Sequence, residues 1–303
     1  MGERNRYGLR RSIPSRIKRL VRQDCGFACV MCGSLGMHYD HFAPEFAHCR
    51  KHTATGIALL CPTCHQDKTA GRLSGEKVAL ARARAKNRWG DPRWRSQFSG
   101  KTVRLRIGTN LLIGPSVGLA FGSLALLEIH AGRDRLESWT LSGTLTHGAG
   151  TVARFDRNDI IACSGNWDVE LAGTHLAFRT APGQVVLMLS LEPDELAIER
   201  LDLRWPSGFS LYVEASGDIT LDNLRHTGSG NSGNNWVLRD NRIVAAGSTG
   251  KSRFHLLGSG MATNTILSDL ELSGNVVVHR GGLADLQTLV DVAQFLSADM
   301  LET

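Results

Sequence analysis

"CPTCHQDK", residues 61–68, sets two cysteines three positions apart and follows the second directly with a histidine. A C-x-x-C pair presents two thiolates from one tight turn, which is half of a tetrahedral metal site. The other half stands upstream as "CVMC", residues 29–32. Cys29, Cys32, Cys61 and Cys64 therefore read as the ligands of a structural zinc ion. Of the seven cysteines, only Cys163 lies outside residues 25–64. Cys25 and Cys49 are the spare thiols, and a ligand set that uses Cys25 is the internal alternative. The basic N-terminal stretch "MGERNRYGLRRSIP" has no apolar core behind it and does not read as an export signal. Paired cysteines in a chain expected to be cytoplasmic point to metal rather than to a disulfide scaffold.

Outward from the knuckle, "IALL" (57–60) reads as an apolar strand and "MHYDHF" (37–42) as a strand that ends at an acid–imidazole pair. "HQDKTAGRL" opens a helix. A basic helix is expected over 12–24, with Ile17, Leu20 and Val21 on one face, and another over 74–90, capped by Ser74. "GDPRWRSQFSGK" (90–101) reads as a linker. Phosphodiester hydrolysis needs a base, a divalent cation and ligands for that cation. His41, Asp40 and His65 supply such groups, provided the strand twists at its end, because neighbouring strand residues face opposite ways. His38 and His48 read as solvent-facing.

The succession C-x-x-C, Asp-His-x-x-Pro and "IALLCPTCHQDK" resembles the zinc-bearing ββα-metal type of HNH endonuclease over about residues 10–75. The resemblance implies that His41 is the general base. It also implies that Asp40 and His65 hold a catalytic cation such as Mg or Mn, and that the products carry a 5′ phosphate and a 3′ hydroxyl. One position departs from the pattern. The family's Asn, nine residues before His65, is Gly56 here. Glycine cannot brace the loop that carries the base, and His52 or Thr55 are the candidates to replace it. The acid–His pair, the His-x-x-x-Gly-Ile loop (52–57) and a β-rich C-terminal region are also similar to bacterial HNH proteins along most of the chain.

Charge divides the sequence. Residues 1–100 carry 19 Lys and Arg against 7 Asp and Glu, while the remainder carries 16 against 22. A basic first domain suits a polyanion, with DNA held mainly through its phosphates by Arg10, Arg11, Arg16, Lys18, Arg19, Lys68, Arg82, Arg84, Lys86 and Arg88. A solvated basic face without a partner is the plain alternative. No run of about 18 apolar residues suggests a membrane span.

The expected fold class is α+β and multidomain, with a small ββα-metal zinc domain over 1–98 and a mainly-β domain over 101–303. Leu176, Ile198, Ile219, Ile243 and Ile266 recur at intervals of 22, 21, 24 and 23 residues. That period favours a parallel β-solenoid over a β-sandwich. "GGLADLQTLVDVAQFLSADMLET" (281–303) carries a helical apolar stripe and is expected to cap the β domain. Three functions compete: an endonuclease in defence against foreign DNA, an inactive zinc-dependent nucleic-acid-binding module, and a β-domain scaffold or sensor. The last would meet a protein partner or a second copy and have the nuclease as its output.

Overall fold

A computed structural model describes residues 4–85, 90–95, 97–108, 110–114, 116–121, 124–163, 165–193, 195–205, 209–213, 217, 219–227, 230–239, 242–247, 252–259 and 267–272. The expected C-terminal helix lies outside the described residues, as do Lys86 and Arg88. The chain forms two compact units. The first joins Met1–Arg95 to Ile160–Gln184, and the second joins Ser96–Asp159 to Val185–Thr303.

The first unit is built around one short hairpin. Strands β1 (His38–His41) and β2 (Ile57–Leu60) pair antiparallel, with Asp40 opposite Ala58 and His41 opposite Ile57. All four residues of β2 are buried, so the strand shows no apolar–polar alternation. Helices cover it: α1 (Ser15–Asp24), α2 (Pro62–Thr69) and α3 (Gly75–Ala83). Val21 of α1 and Val78 and Ala81 of α3 join β2 in a single core. Leu20 remains 40% exposed, so the apolar stripe of α1 is narrower than the sequence suggests. Pro62 takes the first turn of α2, where its missing N–H costs nothing. Ser74 caps α3 through Lys77 N (3.3 Å), but the helix ends at Ala83 instead of running to residue 90. The expected linker contains a strand, Arg93–Arg95, and Leu35 N donates to Arg93 O (2.8 Å).

The hairpin Asp168–Ala172/His175–Ala181 also belongs to this unit, not to the β-rich remainder. A buried charge network ties it there. Arg22, 4% exposed, donates to both carboxylate oxygens of Asp168 (Nε–Oδ1 2.8 Å, Nη2–Oδ2 2.6 Å), and Asp168 is itself 1% exposed. Its Nη1 also donates to Glu170 (2.8 Å) and to the Tyr39 hydroxyl (2.6 Å), which ties α1 to β1 and to the hairpin. Buried charges persist only when paired in this way.

The second unit is antiparallel almost throughout. Ser116–Phe121, Leu124–His130, Thr140–His147 and Gly150–Arg157 follow one another as a meander. Ser252–Ser259 and Leu267–Leu272 extend it beyond Ser116–Phe121. A second meander runs from Gln184–Glu192 through Glu195–Arg204, Phe209–Val213, Ile219–Thr227 and Gly230–Arg239 to Arg242–Gly247. Val103–Ile107 lies parallel beside Glu195–Arg204.

The described residues therefore do not form a parallel solenoid, and they contain no closed barrel. The interval that suggested coils has another origin. Leu176, Ile198, Ile219 and Ile243 fall on every second strand, so one period is one up-and-down strand pair. No helix among the described residues is long and apolar enough to cross a membrane.

Candidate functional site

The four cysteines of the two C-x-x-C pairs converge. Cys29, Cys32, Cys61 and Cys64 place their sulfurs within 4.8 Å of one another, and none is in a disulfide. Zn–S bonds of ~2.3 Å in a tetrahedron set sulfurs about 3.8 Å apart. The Cys32 and Cys61 sulfurs are 3.7 Å apart, so the set fits a metal such as zinc. Local backbone makes this possible. Gly33 adopts φ 80 and donates to Cys29 O (2.9 Å), closing the first turn. The Cys61 sulfur accepts from Cys64 N (3.5 Å), so one ligand also caps α2. Cys25 is fully buried and stands outside the set, as does Cys49, whose thiol donates to Pro44 O (3.2 Å).

The knuckle fixes the start of α2, and α2 aims His65 back at β1. His65 Nε2 lies 3.9 Å from Asp40 Oδ1. Asp40 is only 8% exposed, and burial pushes its carboxyl above the ordinary range against the pull of Lys68 and His65. Lys68, one turn further along α2, brings its ammonium to 3.2 Å from Asp40 Oδ2. The pairing is ionic without hydrogen-bond alignment, since Oδ2 has no hydrogen-bond partner. Asp40 thus faces the His65 imidazole from Oδ1 and the Lys68 ammonium from Oδ2, so a divalent cation held by Asp40 and His65 would displace Lys68 from the carboxylate. His38, expected to face solvent, instead stacks on His65 with ring centres 4.8 Å apart.

His41 ends β1, the point at which two adjacent residues can line one space. Its Nε2 is 3.0 Å from His52 Nδ1, and His52 Nε2 is 3.0 Å from the Arg10 carbonyl. A carbonyl only accepts, so His52 carries its hydrogen on Nε2. In the neutral His52 ring Nδ1 then accepts, His41 donates from Nε2, and the lone pair of His41 is left on Nδ1. Burial, with His52, Arg11 and Lys68 nearby, pushes the His41 pKa down to about 4. The ring is therefore neutral at neutral pH, with its lone pair free but less basic than that of an ordinary imidazole.

Gly56 has a steric explanation. Its carbonyl accepts from Phe42 N (3.1 Å) and Ala43 N (3.4 Å), directly after His41. A Cβ there would collide with the Ala43 carbonyl oxygen. The backbone of residue 56 thus holds the loop at a distance that only glycine allows. Thr55, the other expected brace, is exposed at this turn.

Asp40, His41 and His65 line a single cavity of about 740 Å³, together with His38, Tyr39 and Phe46. Its cationic lining comes from Arg4, Arg6, Arg11, Lys18 and Lys68. Of the other expected phosphate contacts, Arg16 and Arg84 are exposed and Arg19 lies over the Trp167 ring (4.8 Å). Arg10 contributes its carbonyl. Arg82 is turned inward, donating to Ile57 O (3.2 Å), Asp24 O (3.2 Å) and Asp24 Oδ2 (3.0 Å), so it braces α3 instead of meeting a ligand. Arg4, Asn5 and Arg6 went unrecognised in the sequence, where the only signal was basic charge ahead of the first helix. Comparison with known family models, with curated proteins and with solved structures finds no match to this chain.

Proposed function

We propose that this protein is a metal-dependent endonuclease of the HNH kind, hydrolysing phosphodiester bonds of DNA. One observation carries the reading: His41, Asp40 and His65 line the same cavity, and that cavity is cationic. Asp40 and His65 would hold the divalent cation, and Cys29, Cys32, Cys61 and Cys64 a structural zinc ion. When bound, the divalent cation supplies charge to the phosphate oxygens and to the departing 3′ oxygen.

The remaining work falls to the protein's own groups. His41 takes the proton of the attacking water at Nδ1, while His52 holds the ring from the Nε2 side. Arg4, Arg6, Arg11 and Lys18 hold phosphates on either side of the scissile bond without reading bases. The products are a 5′ phosphate and a 3′ hydroxyl. Gly56 does not argue for a dead enzyme, because its carbonyl and its missing side chain do the bracing.

The test is His41→Ala, compared with wild type on plasmid and linear DNA in Mg²⁺ and in Mn²⁺, with zinc content measured in both. Loss of a general base lowers the rate by ~10²–10⁴-fold. Equal cutting by mutant and wild type at equal zinc content removes His41 from the mechanism.

A further inference from the structure

We propose that Asn5 is a positioning residue for His41, acting from an N-terminal hairpin that forms part of the active site. This rests on the endonuclease reading of the cavity. Residues 4–10 fold back on themselves: Arg4 and Arg10 form a β-bridge, and Asn5 N donates to Leu9 O (3.0 Å). The Asn5 side chain uses both of its ends. Oδ1 accepts from Tyr7 N (3.0 Å) and Leu9 N (3.1 Å), which closes the hairpin. Nδ2 donates to Phe46 O and to Cys49 O, both at 2.7 Å, across more than 40 residues of sequence. Those two carbonyls bracket the short 3₁₀ turn Phe46–His48 in the loop between β1 and β2.

Two consequences reach the base. The held Phe46 packs its ring 5.5 Å from the His41 ring and 6.4 Å from that of His52. The same hairpin ends at Arg10, whose carbonyl fixes the hydrogen of His52 on Nε2 and thereby leaves the lone pair of His41 on Nδ1. Loop, hairpin and tautomer are thus joined through a single carboxamide. The amide group is specific for this. It offers two donors to two carbonyls and an acceptor to two backbone N–H groups, which no other side chain of this size can do.

Asn5→Asp separates the two roles. Aspartate closes a hairpin turn as well as asparagine does, but it would turn an oxygen toward the carbonyls of Phe46 and Cys49. The experiment uses the full-length, zinc-loaded protein with ¹⁵N-labelled histidine. Imidazole ¹⁵N–¹H correlation spectra report the tautomers of His41 and His52, and DNA cleavage in Mn²⁺ is measured on the same samples. In wild type, His41 is expected as the Nε2–H tautomer. In Asn5→Asp that signal shifts or splits, and kcat falls by about 10²-fold with KM little changed, the cost of misplacing a reacting group. If Asn5→Asp loses zinc or unfolds, Asn5→Ala, which removes the donors without adding charge, carries the test with the same expectation. Wild-type spectra and wild-type kcat in the folded variant would overturn the proposal. Should wild type fail to cut DNA while the tautomers still respond to Asn5→Asp, the endonuclease reading falls and the positioning role stands.

Discussion

At the level of single residues, the site shows how a missing side chain can be a requirement. Gly56 lets the backbone after His41 approach closely enough for its carbonyl to accept from Phe42 and Ala43, and a Cβ would meet the Ala43 carbonyl. Gly56→Asn, which would place there the residue of the HNH pattern that the sequence resembles, is therefore expected to harm the protein. Overpacking of this kind costs about 1–3 kcal/mol. Chemical denaturation of the two proteins measures it, and a variant as stable as wild type would show that the loop can yield. The acid–imidazole pair, His65 and the need for a substitute brace were legible in the sequence, because they sit within or beside local motifs. Asn5 was not. Its two long-range bonds depend on where a short hairpin docks, and no periodicity or spacing in "RNRYGLR" announces that.

The elements follow the same rule. Two C-x-x-C pairs and a buried strand are specified within a few residues, and the fold forms both where the sequence suggested, whereas α2 begins at Pro62, ahead of the expected start at His65, and ends at Thr69. Helix α3 was overestimated because alanine and arginine favour a helix on propensity alone, whereas the helix ends at Ala83. The knuckle joins the elements, since Cys61 belongs both to the sulfur set and to the cap of α2, the helix that bears His65. Cys61→Ala is expected to lower bound zinc from about one ion per chain to near zero and to weaken α2. Cap loss alone costs about 1 kcal/mol, and loss of a structural metal far more. Elemental analysis and thermal unfolding check this. A Cys61→Ala protein with full zinc and an unchanged Tm would exclude the cysteine set as a metal site.

Across the whole molecule, the first unit contains a buried charge network that sequence pattern does not reveal. Arg22 and Asp168 are 146 residues apart in sequence, yet their buried, two-bond pairing ties α1 to residues 160–184 within the first unit. Removing one partner of a buried ion pair costs up to ~3–5 kcal/mol, and Asp168→Ala would leave the buried Arg22 guanidinium with Glu170 as its carboxylate partner. Asp168→Ala is expected to show a loss of that order in urea, and a loss under about 1 kcal/mol would mean that water replaces the carboxylate. The strand-rich remainder was legible as β structure but misassigned in topology. Alternate strands of a meander repeat at the same interval as the coils of a solenoid, and sequence spacing does not record strand direction.

The central claim is that Asp40 and His65 share one divalent cation within reach of His41. Crystals of the zinc-loaded protein soaked in Mn²⁺ and measured at the manganese absorption edge test it most directly. A manganese peak coordinated by the Asp40 carboxylate and His65 Nε2, separate from the cysteine-bound metal, is the predicted result. Manganese found only elsewhere, with Lys68 still paired to Asp40, would contradict it.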